Sequence, residues 1–195
     1  MEYTQDLINC QREDLLMKLK NQISPKRYEH VLGVEETSLK LAQRYNVERE
    51  KASIAALLHD YAKEMDHEQM LNLACKYWDE PMLLNASGEI WHGFAAAQIA
   101  KDEFHVTDKS ILTAIAGHTI GWFEMDDLFK VLYLADYTES GRDFPGVDKA
   151  RELSKRNLDE AVTFKMTQTL KYLLDERQGI FIPTVDIYNQ WVKQN

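Results

Sequence analysis

The sequence predicts an all-α protein, and three observations carry that expectation. Apolar residues recur at spacings of three and four through most of the chain, helix-starting and helix-stopping residues punctuate the pattern, and strand signals are nearly absent. Ile180-Phe181-Ile182 is the one short strand candidate. The 195 residues are 45% hydrophobic and 28% charged with 8 Gly and 4 Pro, the balance of an ordinary globular chain. With no repeat or linker visible, residues 1–195 are expected to form one domain. A chain of this length buries roughly two-thirds of its unfolded surface without disulfides or a structural metal. Any metal site can therefore be functional rather than a staple.

Each element has its own signal. Residues 1–22 read as an N-terminal packing helix, from the amphipathic pattern of Leu7, Ile8, Leu15, Leu16 and Leu19. Ser24-Pro25 starts a helix over 25–45, since Ser accepts from unpaired N–H groups and Pro loses no needed donor there. Residues 48–62 form a central helix, where Ala52, Ala55, Ala56, Leu57 and Leu58 imply burial on most sides. Asp66 with Gln69 resembles a capping box for a helix to about 77. Ser87-Gly88 precedes a helix over 89–104, Asp108 caps one through Ile111, Leu112, Ile115 and Ala116, and 125–137 continue the same periodicity. Residues 141–145 are the clearest loop. Helices over 148–156 and 158–177 follow, then Gly179 as a stop and Pro183 as a turn before a last helix to 193.

Composition narrows function. With 23 basic and 32 acidic residues the net charge is −9, which repels polyanions and argues against nucleic-acid or membrane-surface partners. Cys10 and Cys75 are too few and too far apart for a disulfide framework or a Cys-based zinc site. No secretory signal or membrane-spanning run is visible, so the chain reads as cytoplasmic. Four Trp and nine Tyr leave room for a symmetric homodimer interface.

The chemistry lies in the histidines. Of six, His30, His59, His92 and His118 sit in or beside apolar helical pattern, and Asp60 adjoins His59. Asp136 follows an apolar run in which an unpaired charge costs several kcal/mol, so something must neutralise it. Taken singly, each is more often a hydrogen-bonded core residue or a cap. Together, neutral imidazoles and carboxylates from separate helices suit a divalent transition metal that activates water. His67 and His105 read as solvated, the four Trp as core or interface residues, and Met125-Asp126-Asp127 as a helix start.

The order His30, His59-Asp60, His92, His118, Asp136 resembles the HD superfamily of metal-dependent phosphohydrolases. The stretches His30-Val31-Leu32-Gly33-Val34, residues 55–64, Trp91-His92-Gly93, Gly117-His118-Thr119, Ala135-Asp136-Tyr137, Arg142 and residues 180–184 look like the bacterial YqeK family, over about residues 25–190. That resemblance implies an HD-domain helical bundle, with a metal-binding core at 25–140 and C-terminal helices at 141–195 completing a nucleotide pocket. It implies symmetrical hydrolysis of diadenosine tetraphosphate to two ADP. His30, His59, Asp60 and Asp136 would hold iron, with manganese, cobalt or zinc also suited to such ligands. With a second ion, His92 and His118 would be its ligands and Asp60 the bridge; with one, those histidines would contact phosphate. Asp60, Lys63, His92 and His118 would be catalytic, either histidine serving as general acid. Lys63, one turn beyond Asp60, Thr119 and Arg142 would contact phosphate. Gly179, Ile180, Phe181, Ile182, Pro183 and Thr184 would hold adenine. A nucleoside monophosphate or cyclic dinucleotide substrate, or a non-catalytic nucleotide sensor, are the alternatives.

Overall fold

A computed structural model describes residues 1–194, and among these residues the fold is helical with no strand. The helices are α1 (Arg12–Gln22), α2 (Pro25–Tyr45), α3 (Arg49–Leu58), α4 (His67–Tyr77), α5 (Gly88–Asp102), α6 (Lys109–Gly117), α7 (Asp127–Thr138), α8 (Val147–Ser154), α9 (Leu158–Asp175) and α10 (Ile182–Gln194). A 3-10 turn at Pro81–Asn85, which periodicity does not reveal, leads into α5.

α3 is the axis of the bundle: every residue from Ala52 to Leu58 is buried, and the helix touches α1, α2, α5, α6 and α7. Its alanines allow close approach on several sides at little cost in side-chain entropy. α5 is buried from His92 to Ala100 for the same reason. The expected caps are present: Ser24 accepts from Arg27 N, Asp66 from Glu68 N and Gln69 N, Asp108 from Ile111 N, and Asp126 from Phe129 N. Asn46, in left-handed conformation, closes α2. Cys10 and Cys75 are unpaired, and no helix of the described residues is long and apolar enough to cross a membrane.

Three expectations need correction. The central helix stops at Leu58 rather than 62; i to i+3 bonds from Tyr61 N to Leu58 O, Lys63 N to Asp60 O and Met65 N to Ala62 O replace the α pattern. Residues 1–11 are not helical, because the Gln11 side chain pairs with both Tyr3 N (2.9 Å) and Tyr3 O (3.0 Å), holding that stretch in a non-helical path. Ile180-Phe181-Ile182 forms no strand, having no described partner strand to pair with, and Ile182 instead opens α10. Pro183 lies in the first turn of that helix, where its missing N–H costs nothing.

Candidate metal centre

Three helices end at one place. His59 is the C-cap of α3, His118 is the C-cap of α6, and Asp136 lies in the last turn of α7. Helix C-termini carry partial negative charge, so their convergence favours a cation. His30, in the second turn of α2, and His92, early in α5, complete the group.

All four rings are oriented alike. Nδ1 of His59 faces Ala56 O at 2.6 Å, that of His118 faces Ile115 O at 2.7 Å, that of His92 faces Gly88 O at 3.0 Å, and that of His30 faces Glu139 Oε1 at 3.1 Å. In a neutral ring an acceptor at Nδ1 places the proton there and leaves the Nε2 lone pair for a ligand bond. Every Nε2 then points at Asp60. Its Oδ1 lies 3.2 Å from His92 and 3.8 Å from His118; its Oδ2 lies 3.7 Å from His59 and 3.8 Å from His30. One carboxylate thus faces two histidine pairs, one with each oxygen. Asp136 Oδ1 stands on the His30 side, 3.2 Å from His30 and 4.0 Å from His59 Nε2.

Two glycines make this approach possible. A Cβ on Gly93 would meet Ala116 O at 2.6 Å, so α5 packs directly on the end of α6 and brings His92 Nε2 to 2.9 Å from His118 Nε2. A Cβ on Gly33 would meet the Glu139 carboxylate at 2.7 Å, the group that orients His30.

The electrostatics follow from burial. Burial would raise Asp60, but His59, His92 and His118 around it hold it well below the usual carboxylate range. Burial would also raise Asp136, and His30, Lys165, His59 and Arg142 reverse that and keep it ionised. Burial pushes His59 down, and pushes His118 down further with His92 and His59 beside it, so both stay neutral. Burial opposes charge on His30 too, yet the Asp136 hydrogen bond leaves it raised.

These residues fit a divalent ion. His59 Nε2 is buried with no hydrogen-bond partner, a costly arrangement that coordination would resolve. The facing lone pairs of His92 and His118 likewise need a proton or cation between them. Two groups, His30-His59-Asp60 and Asp60-His92-His118, each gather their donor atoms within 4.8 Å and share Asp60.

Several supports were not foreseen from sequence. Arg27 Nη1 donates to Asp60 Oδ2 at 2.8 Å. Lys165, buried in α9, donates to Tyr133 O at 2.6 Å and His118 O at 3.3 Å and lies 3.8 Å from Asp136 Oδ2; burial lowers its pKa to about 7. Arg151 donates to the carbonyls of Thr138, Glu139 and Arg142, fixing the 139–142 turn. Arg142 there reaches Asp136 Oδ1 at 2.6 Å.

Lys63 Nζ sits 3.4 Å from His92 Nδ1 and 2.6 Å from Glu89. It comes from the non-helical turn after Asp60, not from a further turn of α3 as its spacing suggested. Thr119 Oγ1 is 3.3 Å from His118 Nε2. Of the 179–184 segment, Gly179 and Ile182 are exposed, Pro183 is buried, and Ile180, Phe181 and Thr184 are half-buried. Phe181 meets Trp78 edge-on at 6.4 Å, and Trp78 meets Trp122 at 5.1 Å. His67 and His105 are exposed, as expected.

Comparison with known proteins agrees with this geometry. The HD domain family model matches residues 27–141. The chain is 38% identical over 178 residues to the symmetrical bis(5'-nucleosyl)-tetraphosphatase of Bacillus subtilis (strain 168), spanning 91% of this chain and 96% of the relative. It is 36% identical to the protein of the same description from Halalkalibacterium halodurans, over 92% and 96%. A crystal structure from Clostridium acetobutylicum, described as an HD superfamily hydrolase involved in NAD metabolism, superposes with a TM-score of 0.89 at 32% identity, over 95% of this chain and 99% of that one. With the histidines and aspartates of the centre falling in the order their motifs require, the chain belongs to the HD-domain phosphohydrolases and, among them, to the YqeK family.

Proposed function

We propose that this protein hydrolyses diadenosine tetraphosphate and related dinucleoside polyphosphates symmetrically, releasing two ADP. The observation that carries the reading is the common orientation of four histidines, each with Nδ1 on an internal acceptor and Nε2 turned to the Asp60 carboxylate. The relatives' described activity supplies the substrate class.

His30, His59, Asp60 and Asp136 would hold one metal ion. Asp60, His92 and His118 would hold a second where two are bound. Iron is the metal of choice, and manganese, cobalt and zinc accept the same nitrogen and oxygen donors. A divalent ion supplies Lewis acidity toward a phosphoryl oxygen and makes a water molecule acidic enough to attack at neutral pH.

The remaining work belongs to the chain. Lys63, Thr119 and Arg142 would hold phosphate oxygens in line and stabilise charge as it spreads over them. Arg142 suits this role through its planar fork, and the three carbonyl bonds from Arg151 hold its turn in place. His92 would deliver a proton to the departing oxygen of ADP; His118, kept neutral by burial with its Nδ1 on Ile115 O, does not suit that role. Residues 179–184, with Phe181 beside Trp78, would hold one adenine. In this reading 25–140 carries the centre, 141–195 completes the pocket and 1–22 packs against the core.

The test is product analysis with metal-loaded protein, offering diadenosine tetraphosphate beside a panel of nucleoside monophosphates and cyclic dinucleotides. ADP as the sole nucleotide product is expected. Inorganic phosphate from monophosphates with the dinucleotide intact would contradict the reading, as would AMP and ATP appearing together.

A further inference from the structure

We propose that the cleft opening beside His30 is a second nucleotide subsite, which receives the nucleoside diphosphate half lying across the centre from residues 179–184. This rests on the dinucleotide substrate proposed above. A symmetrically cleaved substrate has two equal halves, and both must be held when the central bond breaks. Beside His30 the surface opens into a cleft of about 590 Å³, with no residue of 179–184 in its lining, within the roughly 300–1,000 Å³ of small-molecule sites.

That cleft touches the centre directly. His30 lines it, with its Nε2 3.2 Å from Asp136 and 3.8 Å from Asp60. Lys26, Arg27 and Arg142 also line it, and the two guanidiniums have donors to spare. Arg27 spends Nη1 on Asp60 and faces Glu64 Oε1 with Nε at 3.9 Å, and its Nη2 bonds to no described residue. Arg142 spends Nε and Nη2 on Asp136 and leaves Nη1 without a described partner.

Two acidic groups of the wall are engaged within it, Glu64 Oε1 lying 3.9 Å from Arg27 Nε and Glu139 Oε1 3.8 Å from Arg142 Nε. Glu139 faces His30 Nδ1 and accepts from Gly141 N; Glu64 accepts from Ser24 N at 2.6 Å and Ser24 Oγ at 2.7 Å. Glu29 is exposed. No Phe, Tyr or Trp lines the cleft, so it grips phosphate and ribose by charge and hydrogen bonding rather than by stacking a base.

Ser140, exposed in the cleft wall, is the place to test this. Metal-loaded wild type, Ser140→Trp and Lys26→Glu are compared on diadenosine tetraphosphate and on adenosine 5'-tetraphosphate, which lacks the second nucleoside. The wild type should prefer the two-headed compound in kcat/KM by about tenfold, equivalent to about 1.4 kcal/mol, and both variants should lose most of that preference. A preference unchanged in both variants overturns the subsite. ADP titration of the same proteins gives an independent reading: two ADP per chain in wild type and one in Ser140→Trp support it, and one in both overturns it. Failure of the wild type to cleave either compound refutes the proposed reaction, and the ADP count alone then decides for or against the cleft.

Discussion

Two buried polar clusters hang on the same pair of helices, and only one is satisfied from within. Glu35 of α2, nearly fully buried, accepts from Arg12 at 2.7 and 2.5 Å and from Ser53 Oγ of α3 at 2.5 Å, and Ser53 in turn meets Tyr3 Oη at 2.6 Å. Five residues earlier on α2 and six later on α3, His30 and His59 belong to a cluster of the opposite kind. There acceptor lone pairs face one another, and His59 Nε2 has no hydrogen-bond partner. A closed network ties the N-terminal segment to the core and asks for nothing more. A converging set of unshared lone pairs asks for a cation. The contrast marks one cluster as a support and the other as a site.

Substitutions should separate the two. Asp60→Asn removes the carboxylate that both histidine pairs face, and should lower turnover by about a thousandfold, the upper range for deleting one electrostatic element of a site. Circular dichroism should show the fold retained, and elemental analysis should show the metal lost. Turnover within tenfold of wild type would break the distinction.

The converse change, Glu35→Gln, should cost about 2 kcal/mol of stability through weakened charge-assisted hydrogen bonds, read by urea denaturation. Activity per folded molecule should not change. A loss of metal affinity on this substitution would mean the clusters are coupled rather than separate.

Glu139→Gln sharpens the comparison further, because Glu139 closes off His30 Nδ1 much as the main-chain carbonyls close off the other three rings. Metal affinity should fall about tenfold, measured by competition with a chelator. Activity at saturating metal should recover. An affinity unchanged within error would remove Glu139 from the support of the centre.

Much of this was legible in the sequence because helices announce themselves through caps and period. Ser24-Pro25, Asp66, Asp108 and Asp126 each open the helix expected of them. The residues of the centre were legible because a charged or imidazole side chain inside an apolar helical run has few explanations. The end of α3 was hidden: residues 48–65 contain neither Gly nor Pro, and the tightening into 3-10-type turns that sets Asp60 beside His59 leaves no compositional mark. Gly33 and Gly93 stood within the motifs, but their role is to let Glu139 and α6 approach, and only tertiary contact shows that. Arg27 and Lys165 were missed because long cations on half-polar helices look like surface residues until their partners are in place. The strand expected of Ile180-Phe181-Ile182 does not form because β-branched residues favour strands only where a neighbour supplies the ladder.

Calorimetric titration of chelator-stripped protein with ferrous or manganous ion, followed by thermal unfolding, tests the central claim most directly. The account predicts one or two ions bound per chain and stabilisation by about 2.7 kcal/mol at a hundredfold excess over the dissociation constant, both absent in Asp60→Asn. Wild-type protein that stays folded but binds no divalent ion, or the same binding and stabilisation in Asp60→Asn, would contradict it.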